Sequence, residues 1–303
     1  MKKKILIAGG SGYLGEKLAL KCLSNGMHVD CIYEKTKGHI KDINYIKCDL
    51  TNKASLTKKL KKNYNYVVNL AGEVNHQNKK KIYKLHFFLA KNLLDFFEKK
   101  NLNHFVQIGS SAEYGKKKFR AGLTSRVKPN LKNISHYGKA KLNVTKYALK
   151  KFRKKLLPVT IVRAFQIFGK DQPINRFIPI IIDSLIKKKE IKLIPGNCKR
   201  DFLYVDDFIN FLFKVIISPN TYGKILNVGS GKPIKIKNLI DKICKIIKIN
   251  KKLIKINKIK LRQNEPEDIY PNIVKEKKLL KWSPMLNLAQ ALNLTIKTYE
   301  KKY

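Results

Sequence analysis

The chain has 303 residues, 44% of them hydrophobic, enough to bury the core of one large domain or two closely joined ones. Its formal charge of +45 and pI near 10.1 invite an anionic partner such as nucleic acid or a membrane surface. Only seven of the 66 Lys+Arg are Arg, the side chain whose fork reads base edges, and the lysines run the whole length beside abundant Ile and Asn. A compositional bias accounts for such a charge, so nucleic acid is not the expected partner.

The opening MKKKILIAGGSG imitates the charged start of a signal peptide, but its apolar run is short and passes into glycines. Short apolar runs then alternate with helical patterns, the signature of βαβ units and a parallel sheet. The predicted strands are KILIAG (4–9), HVDCIY (28–33), NYIKCD (44–49), YVVNLAG (66–72), FVQIGS (105–110) and VTIVRAF (159–165). Helices are predicted near 15–25, 53–62, 82–99 and 137–153. The stretch LHFFLAKNLLDFF (85–97) is apolar nearly all round, so it must be covered on more than one side.

Beyond residue 165 prolines break the rhythm into shorter elements, and ILNVGSG (225–231) again reads as a buried strand that can rejoin the first sheet. The segment KIIKINKKLIKINKIK (245–260) has the charge of a membrane-surface helix, but its Ile/Lys alternation reads better as a solvated strand or helix edge. No uncharged stretch of about 18 residues exists to span a bilayer. The five cysteines (Cys22, Cys31, Cys48, Cys198, Cys244) show no CxxC or metal-ligand spacing, so neither a disulfide framework nor a metal is expected and the cytoplasm fits best.

GGSGYLG (9–15) follows the first strand and opens the first helix. Such a turn needs glycine for its tightness, for backbone approach to a pyrophosphate and for helix–strand packing, while the helix start supplies amide donors. The arrangement points to a dinucleotide held by Gly9, Gly12, Tyr13, Leu14 and Gly15. In VDCIYEKTK (29–37), Asp30 falls inside the strand and Glu34 is followed by Lys35 and Lys37. The choice between NADP and NAD therefore stays open, with a lean to NADP. Asp49 and Leu50 close the third strand, where the Asp either reaches the adenine or caps the next helix.

A Tyr with a Lys four places on occurs at Tyr13, Tyr33, Tyr114, Tyr137 and Tyr147, so spacing alone selects nothing. Only Tyr137 starts a long helix about 25 residues after a Ser-bearing strand end, which puts Lys141 one turn along the same face. A phenol titrates near 10 when free, and a neighbouring ammonium is what stabilises its phenolate.

Taken together, GxxGxxG at 9–15, NLAG at 69–72, SSAEYG at 110–115, YGKAK at 137–141, RDFLYVDD at 200–207 and ILNVGSG at 225–231 resemble the extended short-chain dehydrogenase/reductases. More narrowly, the chain is similar to the NAD(P)-dependent epimerase/dehydratase family that acts on nucleotide sugars. The resemblance spans essentially the whole chain. It implies a Rossmann-type doubly wound α/β fold, with a dinucleotide domain over 1–165 and a smaller α+β substrate region over 166–303, partly interleaved. It also implies a catalytic Ser110, with Ser111 as fallback, acting with Tyr137 and Lys141. Lys141 would also bind the nicotinamide ribose, and Leu70, Ala71 and Gly72 would line the cofactor. His136 reads as packing at the helix start.

For substrate, the resemblance points to Ser111, Gln166, Arg176, Phe177, Arg200 and Arg262, the last two for a diphosphate. Gln166 stands where the family usually has Asn, and Arg262 lies farther from Asp268 than the familiar pattern. Family dehydratases carry an acidic pair after the catalytic Ser/Thr; here Ser111 and Ala112 stand there, and Glu113 comes one place late. Dehydration is thereby disfavoured. The reading is a 4-ketoreductase of an NDP-4-keto-(6-deoxy)hexose, with a 4-epimerase holding NAD tightly as the alternative. An NADP-binding regulatory or RNA-binding protein without catalysis is the alternative of another class. The 82–99 and 137–153 helices suggest a homodimer, and cell-envelope polysaccharide or glycan synthesis is the setting the family implies.

Overall fold

A computed structural model describes residues 2–61, 63–72, 79–99, 101–117 and 121–301. Residue 62, the end of the helix predicted over 53–62, lies outside these. Six parallel strands, β1 (Lys4–Ala8), β2 (His28–Tyr33), β3 (Asn44–Lys47), β4 (Tyr66–Asn69), β5 (His104–Ser110) and β6 (Val159–Ala164), follow one another along the first part of the chain. In space they run β3–β2–β1–β4–β5–β6, and a seventh strand, Ile225–Val228, pairs parallel with β6 at the far edge. The sequence boundary at 165 therefore does not divide the sheet.

The apolar content of the strands explains why the sheet is covered on both faces. Along β1, Ile5 and Ile7 join a cluster with Leu18, Ala19 and Cys22 of the helix Tyr13–Ser24. Their neighbours Leu6 and Ala8 join another with Leu56, Leu93, Val144 and Ala148. Alternate side chains of a strand face opposite sides, so an unbroken apolar run requires a helical layer on each. The first cluster continues into the region after 165, through Phe208, Leu212, Ile240 and Ile296. That region thus shares the core.

Strand order reverses between β1 and β4, and the crevice at their carboxyl ends is where such sheets bind ligands. The glycine turn leaves β1 there and Leu70–Gly72 leave β4 beside it.

One segment differs from the sequence reading, and a second, read as a solvated strand or helix edge, takes both forms. The helix expected over 82–99 runs as Lys79–Tyr83, a π turn at Lys84–Phe88, and Leu89–Phe96. Apolar periodicity carries no signal for one extra residue in a turn. The 245–260 segment is the end of the helix Ile236–Ile247, a left-handed Lys248 (φ 59°), and a short strand Ile254–Lys255 that pairs with Ile191–Lys192. Among the described residues no helix is long and apolar enough to cross a membrane. The five cysteines are free and buried.

Candidate active site

At the glycine turn, the Gly9 and Gly10 amides donate to Ile32 O (3.2 and 3.0 Å), folding the turn over β2. Gly9 has φ +77°, the left-handed region where a side chain is strained. A Cβ at Gly10 would lie 2.4 Å from Cys31 Cβ, and one at Gly15 only 2.2 Å from Gly9 O. Those two glycines serve the packing of helix on strand. Gly12 is different: it is exposed, and a Cβ there would meet only Gly9 O at an ordinary 3.4 Å. The protein itself does not require glycine at 12, so the bare backbone there is left for an incoming group at the helix start, as a pyrophosphate needs. Ala71 abuts this turn, its N and Cα each 3.0 Å from a Cβ built on Gly9, and its amide donates to Asn69 Oδ1 (3.1 Å). Tyr13 and Leu14 begin the helix half-buried, and Leu70 lies half-buried beside them. Leu50 is buried, while the Asp49 carboxylate accepts from the amide and hydroxyl of Thr51 (2.8 and 2.7 Å). The sequence left capping and adenine contact open for Asp49; its Oδ1 makes the local turn.

Ser110 ends β5 and caps the 3₁₀ turn Ser111–Tyr114, its Oγ accepting from the Ala112 amide at 3.2 Å. The helix His136–Arg153 approaches this turn so closely that a Cβ on Gly138 would stand 2.3 Å from Ala112 O. That contact seats the neighbouring Tyr137 on Ser110, whose side chain hydrogen-bonds the phenol. Burial pushes the Tyr137 phenol up, and Glu113 adds to this; the Ser110 hydrogen bond and the charge of Arg176 pull it back. Lys141, one turn along, is 7% exposed and donates to Ile108 O at 3.0 Å. Burial draws its ammonium down to about 8, against the pull of Glu113. Ser110, Tyr137 and Lys141 are thus brought together at the carboxyl edge of the sheet.

Sequence reasoning missed what holds this edge in place. Glu113, fully buried, accepts from the Ser110 amide through Oε1 (2.8 Å) and from Thr145 Oγ1 and Arg163 Nε through Oε2 (both 2.8 Å). Arg163 in turn lies 4.5 Å over the Tyr114 ring, whose hydroxyl donates to Asn227 Oδ1 (2.8 Å) on the seventh strand. Two signals were available. Ser110-x-x-Glu113 is a capping-box spacing, and an arginine inside the apolar strand VTIVRAF needs a buried carboxylate. His86 was also missed: it is buried, with its ring edge-on to that of Tyr137.

The substrate candidates lie apart in kind. Ser111 is buried beneath the turn, and Gln166 is exposed on the short strand Gln166–Phe168. Arg176 precedes the helix Phe177–Ile186 and faces Tyr137 electrostatically; Phe177 stacks on Phe202 (6.1 Å, 13°). Arg262 is exposed. Arg200 is 4% exposed, and its guanidinium is spent on Glu265 Oε1 (2.9 Å) and the carbonyls of Lys199, Pro266 and Glu267. Any diphosphate at Arg200 has to displace Glu265. Among the described residues no group of three His, Cys, Asp or Glu could hold a metal ion.

Residues 5–229 match the NAD dependent epimerase/dehydratase family. The chain belongs to that family. It is an enzyme of a NAD-dependent class, which displaces the non-catalytic regulatory or RNA-binding alternative. Among its relatives is the GDP-6-deoxy-D-talose 4-dehydrogenase of Aggregatibacter actinomycetemcomitans, 26% identical over 269 residues (86% of this chain, 83% of that protein). Its fold is that of the UDP-glucuronic acid 4-epimerase of Bacillus cereus, solved with UDP-glucuronic acid and NAD (TM-score 0.87, 22% identity, 99% of this chain and 100% of that one). It is also that of the dTDP-glucose 4,6-dehydratase of Bacillus anthracis, solved with NAD (TM-score 0.85, 20% identity, 99% and 97%).

Proposed function

We propose that this family member is a nucleotide-sugar 4-ketoreductase acting on an NDP-4-keto-(6-deoxy)hexose through Ser110, Tyr137 and Lys141. The observation that carries the reading is the seating of the Tyr137 phenol on Ser110, with Lys141 a turn behind, beside a glycine turn open at Gly12. A nicotinamide held at the glycine turn would supply the hydride chemistry at sugar C4. Tyr137 gives its proton to the C4 oxygen as that carbon is reduced, and its phenolate takes the proton back in the reverse direction. Ser110 holds the same oxygen, and the Lys141 ammonium favours the phenolate. Gly9, Gly12 and the 70–72 segment would hold the dinucleotide, with Gly15 packing the helix close against the turn, and Arg176 with Phe177 would meet the sugar nucleotide.

Dehydration fits poorly. Elimination needs a free acid beside Ser110, and both oxygens of Glu113, the acid in that turn, are committed within the protein. The 26% identical 4-dehydrogenase supports oxidoreduction at C4. The second reading, 4-epimerisation with a retained NAD, is favoured by the NAD dependence of the family, which also weighs against the lean to NADP. Incubation with UDP-, GDP-, CDP- and dTDP-linked 4-keto and parent sugars, with NADH and NADPH supplied in parallel, decides. Net consumption of reduced cofactor is the expected result; interconversion without it selects the epimerase, and turnover of none would sink both.

The same reading places the enzyme in the cytoplasm, where five unpaired thiols are at home, and makes it a homodimer. Phe88, 48% exposed, forms a ring cluster with Tyr83 and Phe87 on the face where the helices around 79–96 and 136–153 meet, and Tyr147 extends it. Sedimentation equilibrium is expected to give twice the chain mass, and Phe88→Glu the single mass; a wild-type monomer would contradict the dimer.

A further inference from the structure

The helix over 79–96 is interrupted by one π turn, in which the Leu89 amide donates to Lys84 O five residues back. A π turn is rare inside an α-helix and is found frequently at functional sites. Within this one sits His86. Its imidazole is 4% exposed, and its ring stands edge-on to that of Tyr137, with centroids 4.9 Å apart and planes at 75°. The same ring fills the space that a side chain on Gly72 would need: a Cβ there would lie 2.6 Å from His86 Cε1 and 2.7 Å from Nδ1. Gly72 closes the NLAG segment that leaves β4 beside the glycine turn. One buried imidazole therefore touches both the segment that follows β4 and the phenol.

We propose that His86 is a positioning residue for Tyr137: wedged between Gly72 and the phenol ring, its imidazole sets the angle at which that ring faces Ser110. The inference rests on the reading of Tyr137 as the acid/base. The phenol oxygen feels the Ser110 hydroxyl, the Glu113 carboxylate and the Arg176 guanidinium, and each of these interactions depends on distance. Swinging the ring about the Cα–Cβ bond moves its oxygen relative to all three at once. Without the wedge, the phenol is free to leave the orientation in which its ionisation is set and its proton can be delivered. The wedge also explains the bare backbone at 72, since any side chain there would push the imidazole against the tyrosine.

The test reads the tyrosine directly. The protein loaded with NAD⁺ is titrated by tyrosinate absorbance, and the titration of Tyr137→Phe is subtracted to isolate Tyr137. His86→Ala is expected to move its ionisation constant by about tenfold, one pH unit. His86→Phe, which keeps an aromatic edge against the phenol, is expected to stay within about threefold of the parent, the size of shift that a preserved contact allows. His86→Leu, which keeps bulk without that edge, should shift as Ala does and carries the test if Ala fails to fold. An unchanged constant in both Ala and Leu, or an equal shift in Phe, overturns the proposal. So does a loss of NAD⁺ affinity in His86→Leu, followed by fluorescence quenching, with the ionisation unmoved, because the imidazole would then be only a support for the cofactor segment. If instead Tyr137→Phe still turns over a sugar nucleotide from the panel above, the acid/base reading itself falls, whatever His86 does.

Discussion

Glu113 is held in the core by Arg163, Thr145 and the Ser110 amide, which between them satisfy both of its oxygens. Removing one partner of such a pair strands the other, which is far costlier than never having had the pair. His104, by contrast, is buried at the start of β5 between Thr160 Oγ1 (2.7 Å) and Ile216 O (3.0 Å), and burial draws its imidazole down to about 4. In the unfolded chain it titrates near 6.5, so between these values the unfolded state binds more protons. Stability from this residue is complete above about 6.5 and is lost as pH falls through the window, by about 2–3 kcal/mol at pH 4.5. Urea unfolding at pH 7 and 4.5 is expected to show that loss, and His104→Gln to shrink it; an undiminished acid loss in the variant would place the effect elsewhere. The charge pattern hinted at these residues unequally. An arginine in an apolar strand and a Ser-x-x-Glu spacing can be read from the chain, but nothing local tells that His104 meets Thr160 or that His86 meets Tyr137.

Between elements, the decisive contact is the helix His136–Arg153 against the turn Ser111–Tyr114. Gly138 allows it, with a built Cβ only 2.3 Å from the backbone oxygen of Ala112. Gly138→Ala has to push the helix away and carry Tyr137 off Ser110. Displacements near 1 Å at a reacting centre cost about 100-fold in rate. Single-turnover hydride transfer in Gly138→Ala is expected to slow by about that factor with NAD affinity intact; a rate within a few-fold of wild type would mean the contact does not place the phenol. The strands and the start of the helix that carries Tyr137 were legible because apolar runs and glycine turns are local signals. The π turn at Lys84–Phe88 was not, because one extra residue in a turn leaves a run that is apolar nearly all round looking the same.

At the scale of the molecule, a parallel sheet was legible from the βαβ rhythm, and so was the return of Ile225–Val228 to it, while the doubly wound order that opens a crevice between β1 and β4 was implied only by the family resemblance. Less legible was Arg200, which reads as a phosphate ligand but lies closed against Glu265, a contact made by residues more than sixty positions apart. The charge of +45 is spread along the chain, so any affinity for nucleic acid should be of the screened, sequence-independent kind. Gel shifts with unrelated duplexes are expected to vanish together between 50 and 200 mM salt; a complex with one sequence that survives the higher salt would restore nucleic acid as a partner. The central claim remains the phenol seated on Ser110. Its most direct test is hydride transfer to and from the bound nicotinamide, followed by absorbance, in Tyr137→Phe with the sugar nucleotide the wild-type protein turns over. Transfer is expected to fall by about 10²- to 10⁴-fold while NAD binds as before; transfer at the wild-type rate would contradict the account.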